Sequence, residues 1–223
     1  VAVMAVILHI GSVGAFSYSV AKSIIVIDPL VTTASVSDSI EHNYRSNLIV
    51  SKDSEIKSIK DIQENKHDLS LAWSYPTSTS GHLVPRDYLK SKGVLPEDFK
   101  EVVVAENHEA AIYSCIMNKV DLAAVNDITL REYGRRGKIN EKDYRVIWKS
   151  KPIQRGAIFI NNKVNENLKI QIQKALIMLH EVSPELAQKI HYQYDYDIKY
   201  IPVSDKDYNE LRMLATSIGL IEK

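Results

Sequence analysis

Ser78, Thr79, Ser80 and Gly81 stand between an alternating apolar run that ends at Trp73 and a helix-periodic stretch that includes Leu83. Three hydroxyls and the backbone N–H groups at the start of a helix form a donor set for a compact oxyanion, because the positive end of the helix dipole favours negative charge there. Gly81 permits close backbone approach. The same residues can also serve only as an N-cap, with a hydroxyl satisfying the first helical donors. No Gly-Lys-Ser/Thr follows, which excludes a P-loop.

His108 opens a second helical pattern in Glu106-Asn107-His108-Glu109, and Asn126-Asp127 follow an apolar strand pattern. A histidine at a helix start is either a capping or surface group or a ligand donor at the mouth of a crevice. Asn126 and Asp127 either cap the helix beginning at Ile128 or reach a ligand from the carboxyl edge of a sheet. There is no Gly-x-Ser-x-Gly elbow, so a Ser80–His108 nucleophile and base on a phosphoester has little sequence support. The other histidines, His9, His42, His67, His82, His180 and His191, lack metal-ligand spacing, and neither a metal nor a cofactor is expected. Cys115 lies among Ala111, Ile112 and Ile116 at helical spacing and reads as a small buried hydrophobe. Tyr192, Tyr194, Tyr196 and Tyr200 alternate around Asp195 and Asp197 as a half-buried strand or packed loop would.

These residues sit in a repeating order of short β-rich runs and helical periods, the pattern of an α/β protein. The spacing predicts a buried helix over Val1–Ile10, a strand over Val13–Phe16, a helix over Ser17–Ser23 and one or two strands within Ile24–Ser35 around Pro29. A long strand follows over Tyr44–Val50, then a helix capped by Ser58 and Asp61. Further strands are expected at Leu69–Trp73, Val102–Ala105, Asp121–Val125, Tyr144–Lys149 and Ile158–Ile160. Helices are expected over Gly81–Lys92, stopping at Gly93, over His108–Met117 and over Ile128–Tyr133. Leu168, Ile172, Ala175, Leu176 and Leu179 mark the apolar face of a long helix, Ser183-Pro184 opens the next, and Ser204 with Asp207 caps a last one facing inward through Tyr208, Leu211, Ala215 and Ile218. Two interleaved lobes account for this order, residues 1–50 with 153–223 and residues 51–152. The chain segments Tyr44–Val50 and Pro152–Ile160 are then the crossings, and hence the hinge.

The 28 basic and 28 acidic residues cancel, which argues against nucleic-acid binding through bulk positive charge. A hydrophobic content of 45% with 8 glycines and 7 prolines in 223 residues excludes disorder, collagen-like repeats and a disulfide scaffold. The apolar run at Val1–Ile10 is shorter than the roughly 20 residues needed to span a bilayer and lacks a basic segment before it. The chain begins without methionine and reads as part of a longer sequence, so a signal peptide or anchor of the precursor is expected upstream.

Taken together, Tyr44–Ser54 (YRSNLIVSKDS), Ile59-Lys60-Asp61-Ile62, Ser78-Thr79-Ser80-Gly81-His82-Leu83-Val84-Pro85, His108-Glu109-Ala110 and Val120-Asp121-Leu122-Ala123 resemble the phosphonate-binding family of periplasmic substrate-binding proteins in order and spacing. The resemblance is strongest from Gly11 to Ser150 and continues more loosely to the last helix. It implies a two-lobed α/β clamshell of the type II periplasmic-binding class with two hinge strands, closing on a phosphonate, phosphite or phosphate-like anion for an ABC permease. It further implies that Ser78, Thr79, Ser80 and Gly81 hold the phosphoryl oxygens, that His108 donates to another, and that Tyr44 adds its phenol from the hinge.

Family members that grip an aminoalkyl phosphonate carry carboxylates just after the Val120 strand and in the second hinge. Here those places hold Asn126-Asp127 and Gln154-Arg155-Gly156, which favours an anion without an amine. The family's early tyrosine falls at about Val1, and its first strand has no counterpart. The expectation is a non-enzymatic, periplasmic or extracellular binding protein that meets the membrane only through a permease or an upstream anchor. The alternatives are an extracellular ligand-sensing domain of a receptor such as a histidine kinase, or the phosphoesterase considered above.

Overall fold

The computed structural model describes residues 9–37, 43–194 and 196–221. Val1–Leu8 of the expected first helix, the tyrosine position near Val1, His42 and Asp195 lie outside the described residues. The chain forms two compact units, one made of the residues up to Asn43 and from Gln154 onward, the other of Tyr44–Ile153. Residues 44–50 and 153, assigned to the first lobe from the sequence, belong to the second unit.

In the first unit, strand β1 (Ile10–Val13) leads into helix α1 (Ala15–Ile24) and strand β2 (Ile27–Ser35). The sequence reading placed the strand at Val13–Phe16, three residues too late. Ile10–Val13 pair with Ile160–Ala157, and Gly14 is the extended residue from which α1 starts, so Phe16 is buried on a helix instead. The segment around Pro29 is one strand with an irregularity between Pro29 and Val31, where proline has no N–H for the ladder.

The second unit contains β3 (Ser46–Ser51), α2 (Ile59–Asn65), β4 (Ser70–Trp73), α3 (Val84–Ser91), β5 (Glu101–Val104), α4 (His108–Ile116), β6 (Leu122–Asn126), α5 (Asp127–Arg135) and β7 (Tyr144–Lys149). Its sheet has the order β5-β4-β6-β3-β7; β4 is parallel to β5 and β6, while β3 is antiparallel to β6 and β7. Every residue of β3 is buried, and the alternation of side chains divides them between two cores. Leu48 and Val50 join Leu71, Trp73 and Leu122 on one face, whereas Ile49 joins Ala72, Ala123 and Val125 on the other. Cys115 belongs to this second core, where burial pushes its thiol up to about 12 and removes it from nucleophilic chemistry.

The local signals explain the ends of these helices. Before α2, the Asp61 carboxylate accepts from the Lys57 N–H and from the Ser58 hydroxyl and N–H, which holds its pKa below the ordinary carboxylate value. Gly93 ends the α3 segment at a φ of +72°, a conformation that costs glycine little.

The chain returns to the first unit through β8 (Ala157–Asn161), α6 (Glu166–Val182), α7 (Pro184–Ile190), β9 (Ile198–Pro202) and α8 (Asn209–Ser217). The four-stranded sheet there is antiparallel, in the order β1-β8-β2-β9. Tyr208, Leu211 and Ala215 are buried as the spacing predicts, with the Tyr208 ring tilted against that of Tyr18 at 4.6 Å between centres. The face predicted for α6 is only partly covered. Ile172, Leu176 and Leu179 pack on Leu30, Val31 and Ile160, but Leu168 stays 47% exposed, because Lys169 is the buried residue of that turn and bridges Asp28 and Glu166.

The packing makes two substitutions diverge. Leu71→Ala, deep in the second unit's core, is expected to cost about 2–5 kcal/mol, and Leu168→Ala less than about 0.5 kcal/mol. Urea denaturation followed by far-ultraviolet circular dichroism checks both.

Candidate functional site

Neighbouring parallel strands β4 and β6 deliver their C-terminal residues to one edge of the sheet, the edge at which open α/β sheets place ligands. Antiparallel β3 brings its first residue, Ser46, to the same edge, opposite Asn126. Ala72, Ala111 and Ala123 are fully buried between α4 and the sheet, and their small side chains let the helix lie close. His108, the first residue of α4, is thereby placed at the strand ends.

Beyond Trp73 the chain folds back on itself. The Ser78 N–H donates to the Tyr75 carbonyl at 3.0 Å, and the His82 Nδ1–H donates to the Pro76 carbonyl at 2.7 Å. Thr79–Leu83 then form a single π-helical turn, closed by the Leu83 N–H on the Ser78 carbonyl, that runs directly into α3 with Pro85 in its first turn. The sequence reading began this helix at Gly81. The extra turn is held from below, where the Ser46 hydroxyl donates to the Ser80 carbonyl at 2.6 Å. Ser78 is the N-cap, its Oγ accepting from the Gly81 N–H at 2.9 Å.

Ser78, Thr79 and Ser80 are each nearly inaccessible at the residue level. The Ser80 hydroxyl nevertheless has no hydrogen-bond partner among the described residues. Its oxygen is not among the fully enclosed partnerless atoms, so it is a hydroxyl that solvent or a ligand can reach.

Gly81 lies so close to its neighbours that a Cβ there would stand 2.3 Å from Ser74 Oγ and 2.9 Å from His108 Cε1. Its carbonyl accepts from the Ser74 N–H, so the loop, the strand end and the histidine are locked together.

The bonding around His108 determines its protonation. Nδ1 accepts from the Asn126 backbone N–H at 3.2 Å and lies 2.8 Å from Ser74 Oγ, whose single proton is within reach of either Nδ1 or the Ala124 carbonyl. A backbone N–H pointing at Nδ1 leaves no room for a proton on that nitrogen, so the neutral ring carries its proton on Nε2. Nε2 lies 3.4 Å from Ser78 Oγ, on the side of the hydroxyl cradle. The Tyr75 ring meets the imidazole edge-on at 5.9 Å. Desolvation pushes the imidazolium value down to about 4, and the facing N–H opposes charging in the same direction.

Ser78, Ser80, Gly81 and His108 are thus brought together with the backbone of Asn126. The Asn126 side chain itself caps α5, accepting from the Thr129 N–H at 2.6 Å. Asp127 accepts from the Arg45 N–H with one oxygen and from the Arg131 guanidinium with the other. Of the two roles open for this pair in the sequence, capping a helix or reaching a ligand, Asn126 performs the first, while Asp127 pairs with Arg45 and Arg131. Tyr44 stands next to Arg45 and forms an antiparallel bridge with Ile153, joining the two ends of the second unit.

Ser46 and Ser74 escaped the sequence reading. Ser74 carried a usable signal as a serine directly after an alternating strand, whereas the role of Ser46 depends on a pairing 80 residues away. Among the described residues no group of three or more His, Cys, Asp or Glu is placed to hold a metal ion, and no helix is long and apolar enough to cross a membrane.

Comparison with known proteins adds independent findings. A family profile described as ABC transporter, phosphonate, periplasmic substrate-binding protein matches residues 5–208. The phosphonates-binding periplasmic protein of Escherichia coli (strain K12) is 35% identical over 130 residues, which are 58% of this chain and 38% of that protein. The chain therefore matches well under half the length of this curated relative. Among solved structures, a binding protein component of an ABC phosphonate transporter from Pseudomonas aeruginosa superposes with a TM-score of 0.86 at 22% identity, covering 97% of this chain and 70% of that one. A Prochlorococcus marinus protein solved in complex with methylphosphonate superposes with a TM-score of 0.81 at 17% identity, covering 99% and 82%. At these identities the likeness establishes the α/β fold of a periplasmic binding protein.

The protonation argument has a measurable sign. The unfolded chain takes up a proton on this histidine near the ordinary value of about 6.5, before the folded chain does, so its contribution to stability is lost as pH falls from about 6.5 toward about 4. Nitrogen-15 NMR of the imidazoles is expected to show His108 as the neutral Nε2–H tautomer down to about pH 5. In Gly81→Ala, the clash with Ser74 and His108 is expected to displace the ring and abolish that signature.

Proposed function

The chain belongs to the family of periplasmic substrate-binding proteins of phosphonate ABC transporters, and on that premise we propose that the Ser78–Gly81 turn and His108 bind the head group of a small phosphorus oxyanion for delivery to a permease. The observation that carries this reading is a hydroxyl turn in which the Ser80 hydroxyl has no hydrogen-bond partner among the described residues, while Ser78 Oγ lies 3.4 Å from the ring nitrogen of His108 that bears the proton. Hydroxyl and N–H donors of Ser78, Thr79 and Ser80 and the Nε2–H of His108 meet the oxygens of the head group, and Tyr44 adds its phenol. The Prochlorococcus marinus relative is described with methylphosphonate, which fits such a donor set.

The ligand is an anion without an amine. Asp127 would be the carboxylate available to an ammonium group near the end of β6, and both of its oxygens are committed to Arg45 and Arg131. Binding is the whole of the chemistry. A histidine that must act as general base needs an unprotonated nitrogen toward the nucleophile, and His108 presents its protonated one. The second nitrogen is occupied by a backbone donor instead of an orienting carboxylate. In this reading the protein works in the periplasm or outside the cell, with the permease as its partner, and the matched family gives no support to a receptor sensor.

Ser80→Ala removes one charge-assisted donor and no bond within the protein. It is expected to weaken methylphosphonate binding about tenfold to a hundredfold, the equivalent of about 1.5–3 kcal/mol, while the ligand-free melting temperature stays unchanged. Isothermal titration calorimetry and thermal denaturation, with and without ligand, check the two halves; undiminished affinity in the variant would contradict the assignment.

A further inference from the structure

Backbone and small side chains border three atoms of the His108 ring. The Asn126 N–H and Ser74 Oγ stand at Nδ1, Ser78 Oγ stands at Nε2, and a Cβ on Gly81 would lie 2.9 Å from Cε1. The aromatic side chain against the imidazole is Tyr75, with 5.9 Å between ring centres and 75° between the ring planes. Tyr75 is half-buried, so its ring meets the imidazole while part of it faces water. Its phenol hydroxyl forms no hydrogen bond among the described residues.

The loop that carries the hydroxyl turn also fixes this ring. The Tyr75 carbonyl accepts from the Ser78 N–H at 3.0 Å. Pro76, next in the chain, disfavours helical backbone at Tyr75, and its own carbonyl accepts from His82 Nδ1–H at 2.7 Å. Tyr75 therefore touches the site through its ring and its backbone, and its hydroxyl is left to solvent.

We propose that Tyr75 is a positioning residue of the oxyanion site: its ring covers His108, keeping the imidazole out of water with Nε2 turned to the cradle, and its hydroxyl takes no part. The inference rests on the oxyanion reading above and adds to it a residue that acts on the ligand through His108. An edge-to-face aromatic contact has a preferred direction as well as an area, so the Tyr75 ring opposes rotation of the imidazole away from the cradle.

Burial is the cause that lowers the basicity of His108, to about 4, so the group that covers the ring governs its charge. The charged and titratable groups of the surrounding elements are engaged elsewhere or exposed. Glu106 is exposed in the loop before α4, Glu109 pairs with Lys138 at 3.9 Å, and Asp127 is bonded to the Arg45 N–H and to Arg131. The Arg45 guanidinium donates to the Ser150 carbonyl. His82 is also held below the ordinary histidine value by burial, and its Nε2 lies 3.4 Å from the Arg86 guanidinium.

The test compares the wild-type chain with Tyr75→Phe and Tyr75→Ala. Nitrogen-15 NMR follows the His108 imidazole through an acid titration without ligand, and isothermal titration calorimetry measures methylphosphonate binding at neutral pH. Tyr75→Phe, which keeps the ring and loses the hydroxyl, is expected to reproduce the wild type in both. In Tyr75→Ala, His108 is expected to titrate above about 5, nearer the ordinary value of about 6.5, and methylphosphonate to bind about twofold to tenfold more weakly. Weaker binding by Tyr75→Phe would make the hydroxyl a ligand donor and overturn the inference. A His108 titration that Tyr75→Ala leaves in place, or an affinity that it leaves undiminished, would overturn it as well. Failure of the wild-type chain to bind methylphosphonate would remove the oxyanion reading and, with it, the role given to Tyr75; the ligand-free titration tells this failure apart from a failure of the ring to cover His108.

Discussion

The backbone N–H of Asn126 on Nδ1 of His108 is the contact from which the character of the site follows. It settles which ring nitrogen bears the proton, turns a residue that could act as acid, base or acceptor into a donor, and opposes the positive charge that a histidine near an anion would otherwise acquire. In the proposed function, a salt bridge to the ligand is thereby exchanged for a neutral hydrogen bond of fixed direction. The recognition proposed for this turn would depend on the number and orientation of donors, each strengthened by the low accessibility of Ser78, Thr79 and Ser80.

That contact exists because the sheet brings together residues distant in sequence. Parallel pairing of β4 with β6 brings the Ser74 hydroxyl to within 2.8 Å of the Ala124 carbonyl, and antiparallel β3 sets Ser46 beneath the turn that follows. The alternation of large side chains on one face with Ala72 and Ala123 on the other is what allows α4 to approach. Gly81 then closes the assembly at a distance no side chain could tolerate. Core packing and site geometry are therefore the same constraint at this edge, and a change that thickened the α4 face would be felt first at His108.

Much of the second unit was legible because its periods and punctuation agree. Tyr144–Lys149 is a strand from end to end, Gly93 adopts the positive φ of a helix stop, and the Ser58–Asp61 and Ser204–Asp207 pairs bond as their spacing predicts. The hydroxyl cradle and His108 were legible as residue types in order, and the family resemblance supplied their association. The π-turn was not, because its hydrogen bonds depend on Ser46 and Ser74, which local spacing cannot connect. Nor was the first strand: an apolar run gives no sign of period at Ile10, and the pairing with β8 that makes it a strand lies 150 residues away at Ile160. The exposed Leu168 face misled for a related reason, since periodicity identifies an apolar stripe but not how much of it is covered.

A crystal structure of the chain grown with methylphosphonate is the most direct test that the turn and His108 form an oxyanion site. The account predicts phosphonate oxygens within hydrogen-bond distance of Ser80 Oγ and His108 Nε2, with the Asn126 N–H still on Nδ1. A ligand bound elsewhere with the Ser80 hydroxyl left alone, or an imidazole turned so that Nδ1 faces the ligand, would contradict it.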